Sequence, residues 1–93
     1  MAIKIRLHPF LHHFTGGREM VEVEGHNVKE CLESLQTQFP GIMESLGKKR
    51  GNSFQLFHYV EIYVNGESAY PEELTKLVKD GDEVSIVFMM AGG

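Results

Sequence analysis

The sequence predicts an α+β fold, a small mixed sheet with one main helix packed on one face. Three observations lead there. Segments near both ends of the chain alternate apolar and polar residues at period two, the mark of half-buried strands. The stretch from Val28 to Phe39 instead spaces its apolar residues for one face of a helix. A chain of 93 residues with 42% hydrophobic content has room for one domain, so sheet and helix must share a single core.

The elements follow in order. Ile3, Ile5 and Leu7 alternate with Lys4, Arg6 and His8 as a first strand. Pro9 lacks an amide donor and ends easy pairing. The connection from Pro9 to Arg18 contains Thr15-Gly16-Gly17, a turn-forming stretch. Met20, Val21 and Val23 among Glu19, Glu22 and Glu24 form the returning strand of a hairpin with a longish loop. Gly25 breaks that pattern. Asn27 caps a helix and Glu30, three residues on, completes a variant capping box. Val28, Cys31, Leu32, Leu35 and Phe39 face inward, and Phe39-Pro40-Gly41 stops the helix.

From Ile42 to Tyr59 no period is clear, and the expectation is a short helical turn followed by a flexible loop. Val60, Ile62 and Val64 make a third strand ending in Asn65-Gly66, a tight hairpin signal. A short strand is expected around Ser68 to Tyr70. Leu74, Leu77 and Val78 are expected to pack as a helical turn, and Asp80-Gly81-Asp82 turns the chain into a last strand carrying Val84, Ile86 and Phe88. That strand is apolar enough to be central, beside the first. The resulting order is that of a β-grasp, ubiquitin-like domain over residues 1–88, followed by an extended tail over 89–93.

Charge and cysteine content narrow the function. Nine Lys and Arg against thirteen Asp and Glu give a net charge of −4 and a pI near 5.7. A strongly basic surface for nucleic acid is excluded. Cys31 is the only cysteine, so neither an intrachain disulfide nor a cysteine-ligated zinc or iron–sulfur cluster can form. Its position on the apolar helix face makes it a buried structural thiol. Met1 to Arg6 interleave charged and apolar residues, unlike a signal peptide, and the longest apolar run, Ile86 to Ala91, is too short for a membrane span. The expected location is a reducing cytoplasm, with no membrane partner.

The chemistry concentrates at Met89-Met90-Ala91-Gly92-Gly93. Two glycines without Cβ atoms can enter a narrow slot. Five extended residues reach roughly 16 Å, enough to carry a terminal carboxylate off the domain body. Phe88, Met89, Met90 and Ala91 are candidates for a partner-binding patch at the base of this tail, since methionine adapts to more than one surface. His8, His12 and His13 are expected to be solvated loop residues rather than metal ligands, and Lys48-Lys49-Arg50 a solvated charge run.

Val64-Asn65-Gly66-Glu67, Asp80-Gly81-Asp82-Glu83-Val84 and the final Ala91-Gly92-Gly93 resemble the MoaD/ThiS family of ubiquitin-like sulfur carriers, over nearly the whole chain. Phe14-Thr15-Gly16-Gly17, the run Val60 to Asn65 and the long connection after the helix are most similar to the CysO-type carriers of cysteine biosynthesis. The tail departs from MoaD, in which a proline pair precedes the end; Phe88-Met89-Met90 stands there. The resemblance implies a carrier rather than an enzyme, holding no cofactor of its own. A ubiquitin-activating-like adenylyltransferase would use ATP and magnesium to adenylate the Gly93 carboxylate, with Gly92 supplying tail flexibility. A sulfur donor would then displace AMP and leave a thiocarboxylate. The implied partners are that enzyme, a sulfur-accepting synthase such as a cysteine synthase-like protein, and a metalloprotease. The alternatives are a protein modifier conjugated through Gly93 and the small subunit of molybdopterin synthase.

Overall fold

The computed structural model describes residues 1–89. Strands β1 (Ala2–Leu7) and β2 (Met20–Glu24) form the first hairpin, followed by helix α1 (Val28–Gln38). Then come β3 (Gly47–Arg50), β4 (Ser53–Leu56), β5 (Val60–Val64), β6 (Glu67–Ser68) and β7 (Glu83–Phe88). The main sheet has five strands in the order β2-β1-β7-β5-β6, with β1 and β7 parallel and the other neighbours antiparallel. The last strand is central, as its apolar content predicts.

Alternation decides which face of the sheet is buried. Ile3, Ile5, Leu7, Val21, Val23, Val60, Ile62, Val64, Val84, Ile86 and Phe88 all point into one core with Val28, Cys31, Leu32 and Leu35 of α1. Lys4, Arg6, Glu22 and Glu24 fall on the opposite face, where Arg6 Nε donates to Glu83 Oε2 at 3.0 Å across the β1–β7 pair. A one-residue slip in β1 would exchange these sets, so the core itself enforces the register.

Helix α1 starts at Asn27, whose Oδ1 accepts from the Glu30 amide at 2.8 Å. Glu30 reaches back one residue further than a capping box requires: its Oε1 accepts from the His26 amide at 2.8 Å. The helix ends at Gln38, so Phe39 is its C-cap rather than its last inward residue, although it still packs partly buried against the core. Gln38 Nε2 donates to the Glu22 carbonyl at 2.9 Å, and Ser34 Oγ accepts from the Glu24 amide at 3.4 Å. The helix thereby occupies part of the free edge of β2, which would otherwise be open to further strand pairing.

Three expectations need correction, and the connection from Pro9, with its turn at Thr15-Gly16-Gly17 as expected, has more order than a loop. The stretch after the helix is a short 3-10 turn at Ile42–Ser45 followed by a two-stranded hairpin, β3–β4, rather than a flexible loop. Its strands escape detection because Lys48, Lys49 and Arg50 are all exposed and show no alternation. The connection from Pro9 is a 3-10 turn over Pro9–Phe14, with Pro9 at the first helical position, where its missing N–H costs nothing. The strand expected around Ser68 to Tyr70 lies at Glu67–Ser68, because Asn65 (φ 52°) and Gly66 (φ 86°) form a two-residue turn that pairs Val64 with Glu67. The turn expected around Leu74 to Val78 spans only Glu73–Thr75; Val78 is buried, but Leu77 is 75% exposed.

Candidate functional site

The two ends of β7 are built differently. At its start, Asp82 is nearly buried and its carboxylate is fully engaged: Asn65 Nδ2 donates to Oδ1 at 3.0 Å and the Lys79 amide to Oδ2 at 2.9 Å. Asn65 Oδ1 in turn accepts from the Glu83 amide at 2.9 Å, while the Asn65 amide donates to the Glu83 carbonyl at 2.8 Å. Asn65 thus clasps the β5–β6 turn to the start of β7. Hydrogen bonds from Asn65 and the Lys79 backbone hold the Asp82 carboxyl below the usual carboxylate range. Two of the motifs that carry the family resemblance, Asn65-Gly66 and Asp80-Gly81-Asp82, therefore serve the body of the domain.

At its far end β7 delivers the chain to Met89. The Met89 amide donates to the Tyr59 carbonyl at 2.6 Å, which carries the β5–β7 pairing one step beyond Phe88. Phe88 is buried, 9% exposed, beneath an aromatic ledge. Phe10 stacks on it with ring centroids 5.9 Å apart, Tyr59 lies tilted at 6.1 Å, and His8 meets it edge-on at 5.2 Å. Phe10 is 54% exposed, Tyr59 39% and Met89 52%. Phe10, Leu11, Ser45, Tyr59 and Phe88 enclose a shallow groove of about 340 Å³. Exposed aromatic rings around a rigid strand end form a surface suited to protein contact.

Of the patch expected at the tail base, Met89 is exposed and Phe88 is buried. Met90, Ala91, Gly92 and Gly93 lie outside the described residues. Sequence reasoning missed Phe10 and Tyr59, since both fall in segments without a period. Their signal was an aromatic ring directly beside a strand terminus.

The histidines before the tail base have structural tasks. His8 Nδ1 accepts from the Phe10 amide at 3.1 Å, and His12 Nε2 meets the Leu7 carbonyl at 3.0 Å. Both are half-buried, which corrects their reading as solvated; His13 is exposed. Among the described residues, no three His, Cys, Asp or Glu side chains gather as a metal-binding group, and no helix is long and apolar enough to cross a membrane.

Cys31 is fully buried, and burial pushes its thiol pKa up to about 11. Gly25 packs so closely that a Cβ there would stand 2.8 Å from both the Cys31 amide nitrogen and Sγ. The thiolate needed for sulfur transfer is disfavoured at this position.

A helix-covered mixed sheet with a parallel central pair and an aromatic ledge where its last strand ends defines a ubiquitin-like β-grasp protein. The chain belongs to the ThiS family, whose pattern matches residues 6–93. A protein of Archaeoglobus fulgidus, provisionally named a sulfur carrier protein, is 34% identical over 94 residues, covering 100% of both chains. A chain of the Amycolatopsis orientalis BexX/CysO complex superposes with a TM-score of 0.86 at 30% identity, covering 98% of this chain and 99% of its own. Small archaeal modifier protein 1 of Methanosarcina acetivorans superposes with a TM-score of 0.84 at 26% identity, covering 99% and 96%. The chain is thus a small ubiquitin-like carrier of the MoaD/ThiS type, not an enzyme.

Proposed function

We propose that the protein carries sulfur as a thiocarboxylate on Gly93 and donates it in the biosynthesis of cysteine or a related compound. The observation that carries this reading is that the ThiS family match continues through Gly92-Gly93. The likeness to a chain of the BexX/CysO complex favours the CysO-type role.

The chemistry divides between carrier and partner. A carboxylate is a poor electrophile. A ubiquitin-activating-like adenylyltransferase, using ATP and magnesium, directs a Gly93 carboxylate oxygen onto the α-phosphorus, and pyrophosphate leaves. A sulfur donor then attacks the acyl carbon and AMP leaves. The resulting thiocarboxylate remains tethered to the carrier and reaches a sulfur-accepting synthase, where its sulfur attacks a carbon of the acceptor and the acceptor's leaving group departs. Hydrolysis of the Gly93–product acyl bond by a metalloprotease then releases product and restores the carboxylate. The body, residues 1–88, supplies recognition through Phe10 and Tyr59, and the segment 89–93 supplies reach, with Met89 adding an apolar contact at its base.

Incubation with ATP, magnesium, the adenylyltransferase of the same organism and a sulfur source should replace one oxygen of the protein by sulfur, as read by intact mass spectrometry. Deletion of Gly93 should abolish the gain and leave thermal stability unchanged, because the residue adds no side chain to the core. Sulfur mass on the deletion variant would refute the assignment. A second reading, conjugation of Gly93 to protein lysines, draws on the likeness to the archaeal modifier protein. It predicts a ladder of conjugates in cell extract that disappears with the same deletion.

A further inference from the structure

The chain contains one Asn-Gly pair, Asn65-Gly66, and it forms the tip of the β5–β6 hairpin. Asparagine before glycine is prone to succinimide formation, because glycine has no side chain to obstruct its amide nitrogen as that nitrogen attacks the asparagine carboxamide. The surroundings of this pair add no obstruction. Both residues are exposed, and a Cβ placed on Gly66 would meet no atom within 4 Å. The restraint comes from the Asn65 side chain itself: Nδ2 donates to Asp82 Oδ1 at 3.0 Å, and Oδ1 accepts from the Glu83 amide at 2.9 Å. Both polar atoms of the carboxamide are thus held by the start of β7. To meet the Gly66 nitrogen, the carboxamide must swing toward its own C-terminal neighbour, which breaks both bonds.

We propose that Asn65 is a deamidation site gated by its clasp to β7, so that only chains whose clasp has opened are converted, and irreversibly. In the open state the Gly66 nitrogen gives up its proton and attacks Asn65 Cγ. The new C–N bond closes a succinimide ring, and the side-chain nitrogen of Asn65 takes up a proton and leaves as ammonia. Water then opens either carbonyl of the ring, which gives an aspartyl or an isoaspartyl residue at position 65. Only water is consumed and only ammonia is released. Neither product can restore the clasp. A carboxylate replaces the Nδ2 donor and faces Asp82, whose own carboxyl is nearly buried and hydrogen-bonded, so two like charges oppose each other. The isoaspartyl product also lengthens the backbone of a turn whose two central residues both hold positive φ. Opening at the start of the central strand is thereby recorded chemically.

The test holds folded wild type, wild type unfolded in guanidinium chloride, and Asp82→Ala in one mildly alkaline buffer and follows conversion by peptide mapping with mass spectrometry. Asn52, exposed between β3 and β4, is the internal reference and should convert alike in folded wild type and in the variant. At position 65 the unfolded chain should convert at least about tenfold faster than the folded one, the scale set by a hydrogen bond to a charged group. Asp82→Ala, which removes that acceptor, should outpace folded wild type by a similar factor. A measurement on wild type alone covers the case in which the variant does not fold. At guanidinium concentrations below the unfolding transition, conversion at position 65 should rise in step with hydrogen exchange of the Glu83 amide, the donor to Asn65 Oδ1. Equal rates at position 65 in folded and unfolded wild type, or in wild type and a folded Asp82→Ala, would overturn the gate. An Asn65→Asp protein as stable as wild type would overturn the claim that the product cannot close the clasp again.

Discussion

The two ends of β7 carry opposite designs within one strand. At the start, polar groups are satisfied around a buried carboxylate: Asn65 and the Lys79 amide both donate to Asp82, and Asn65 accepts from the Glu83 amide. At the far end, apolar rings stand in solvent, with Phe10 and Tyr59 exposed around a buried Phe88. Buried polar groups with all partners present give the fold its rigidity, whereas an exposed aromatic ledge gives an isolated domain little stability. The contrast separates a polar clasp that holds the fold from an exposed apolar end, the one proposed above for docking.

The largest effect should come from stripping the ledge. The double substitution Phe10→Ser and Tyr59→Ser should weaken binding to the adenylyltransferase roughly a hundredfold, since exposed aromatic anchors dominate interface energies. The melting temperature should change little. A large loss of stability with unchanged binding would reverse the roles of the two ends. Met89→Asp tests the neighbouring groove, which Met89 lines with Phe57 and His58, with a smaller expected loss of about tenfold, because a charge must be desolvated at an apolar contact.

Next in size is the clasp. Asn65→Gly keeps the positive φ that the turn requires and removes the side-chain bonds to Asp82 and Glu83. It should cost about 1–3 kcal/mol in a denaturant titration and leave partner affinity intact. The pH response sharpens the assignment. The Asp82 carboxyl is held down in the folded state, so its contribution to stability is complete above the unfolded carboxylate pKa and is lost as pH falls through the folded value, below about pH 4. Wild type should therefore lose stability on acidification more steeply than Asn65→Gly. Parallel curves would remove Asn65 as the cause.

The smallest effect is expected at Cys31. With its thiol buried and its pKa raised to about 11, it should resist alkylation at neutral pH until the protein unfolds. Rapid labelling of the native protein would place a reactive sulfur in the core and reopen the question of which sulfur does the chemistry.

Much of this molecule was legible in its residues. The alternation in β1, β2, β5 and β7, the Asn27 cap and the Asn65-Gly66 turn all appear where local pattern predicts them. The errors cluster where a local signal is weak or contested. Lys48, Lys49 and Arg50 form a strand whose side chains all face solvent, so no alternation marks it. Leu77 has the spacing of a packed helical residue, yet Asn27 forms a bridge with it and leaves its side chain outside. His8 and His12 are half-buried rather than solvated, because neither a cap formed by imidazole nor a bond to the Leu7 carbonyl has a compositional signature.

By itself the sequence determined the strand and helix faces, the tight turns and the likeness to the sulfur carriers. These depend on periodicity, backbone stereochemistry and motifs spanning a few residues. Only the tertiary structure decided that Phe10, Tyr59 and Phe88, drawn from three distant parts of the chain, share one ledge. It likewise decided that Asn65 and Asp82 close one clasp. The physical reason is register. The parallel β1–β7 pairing and the antiparallel β5–β7 pairing set which residues meet at each end of the central strand, and those alignments depend on packing the whole core.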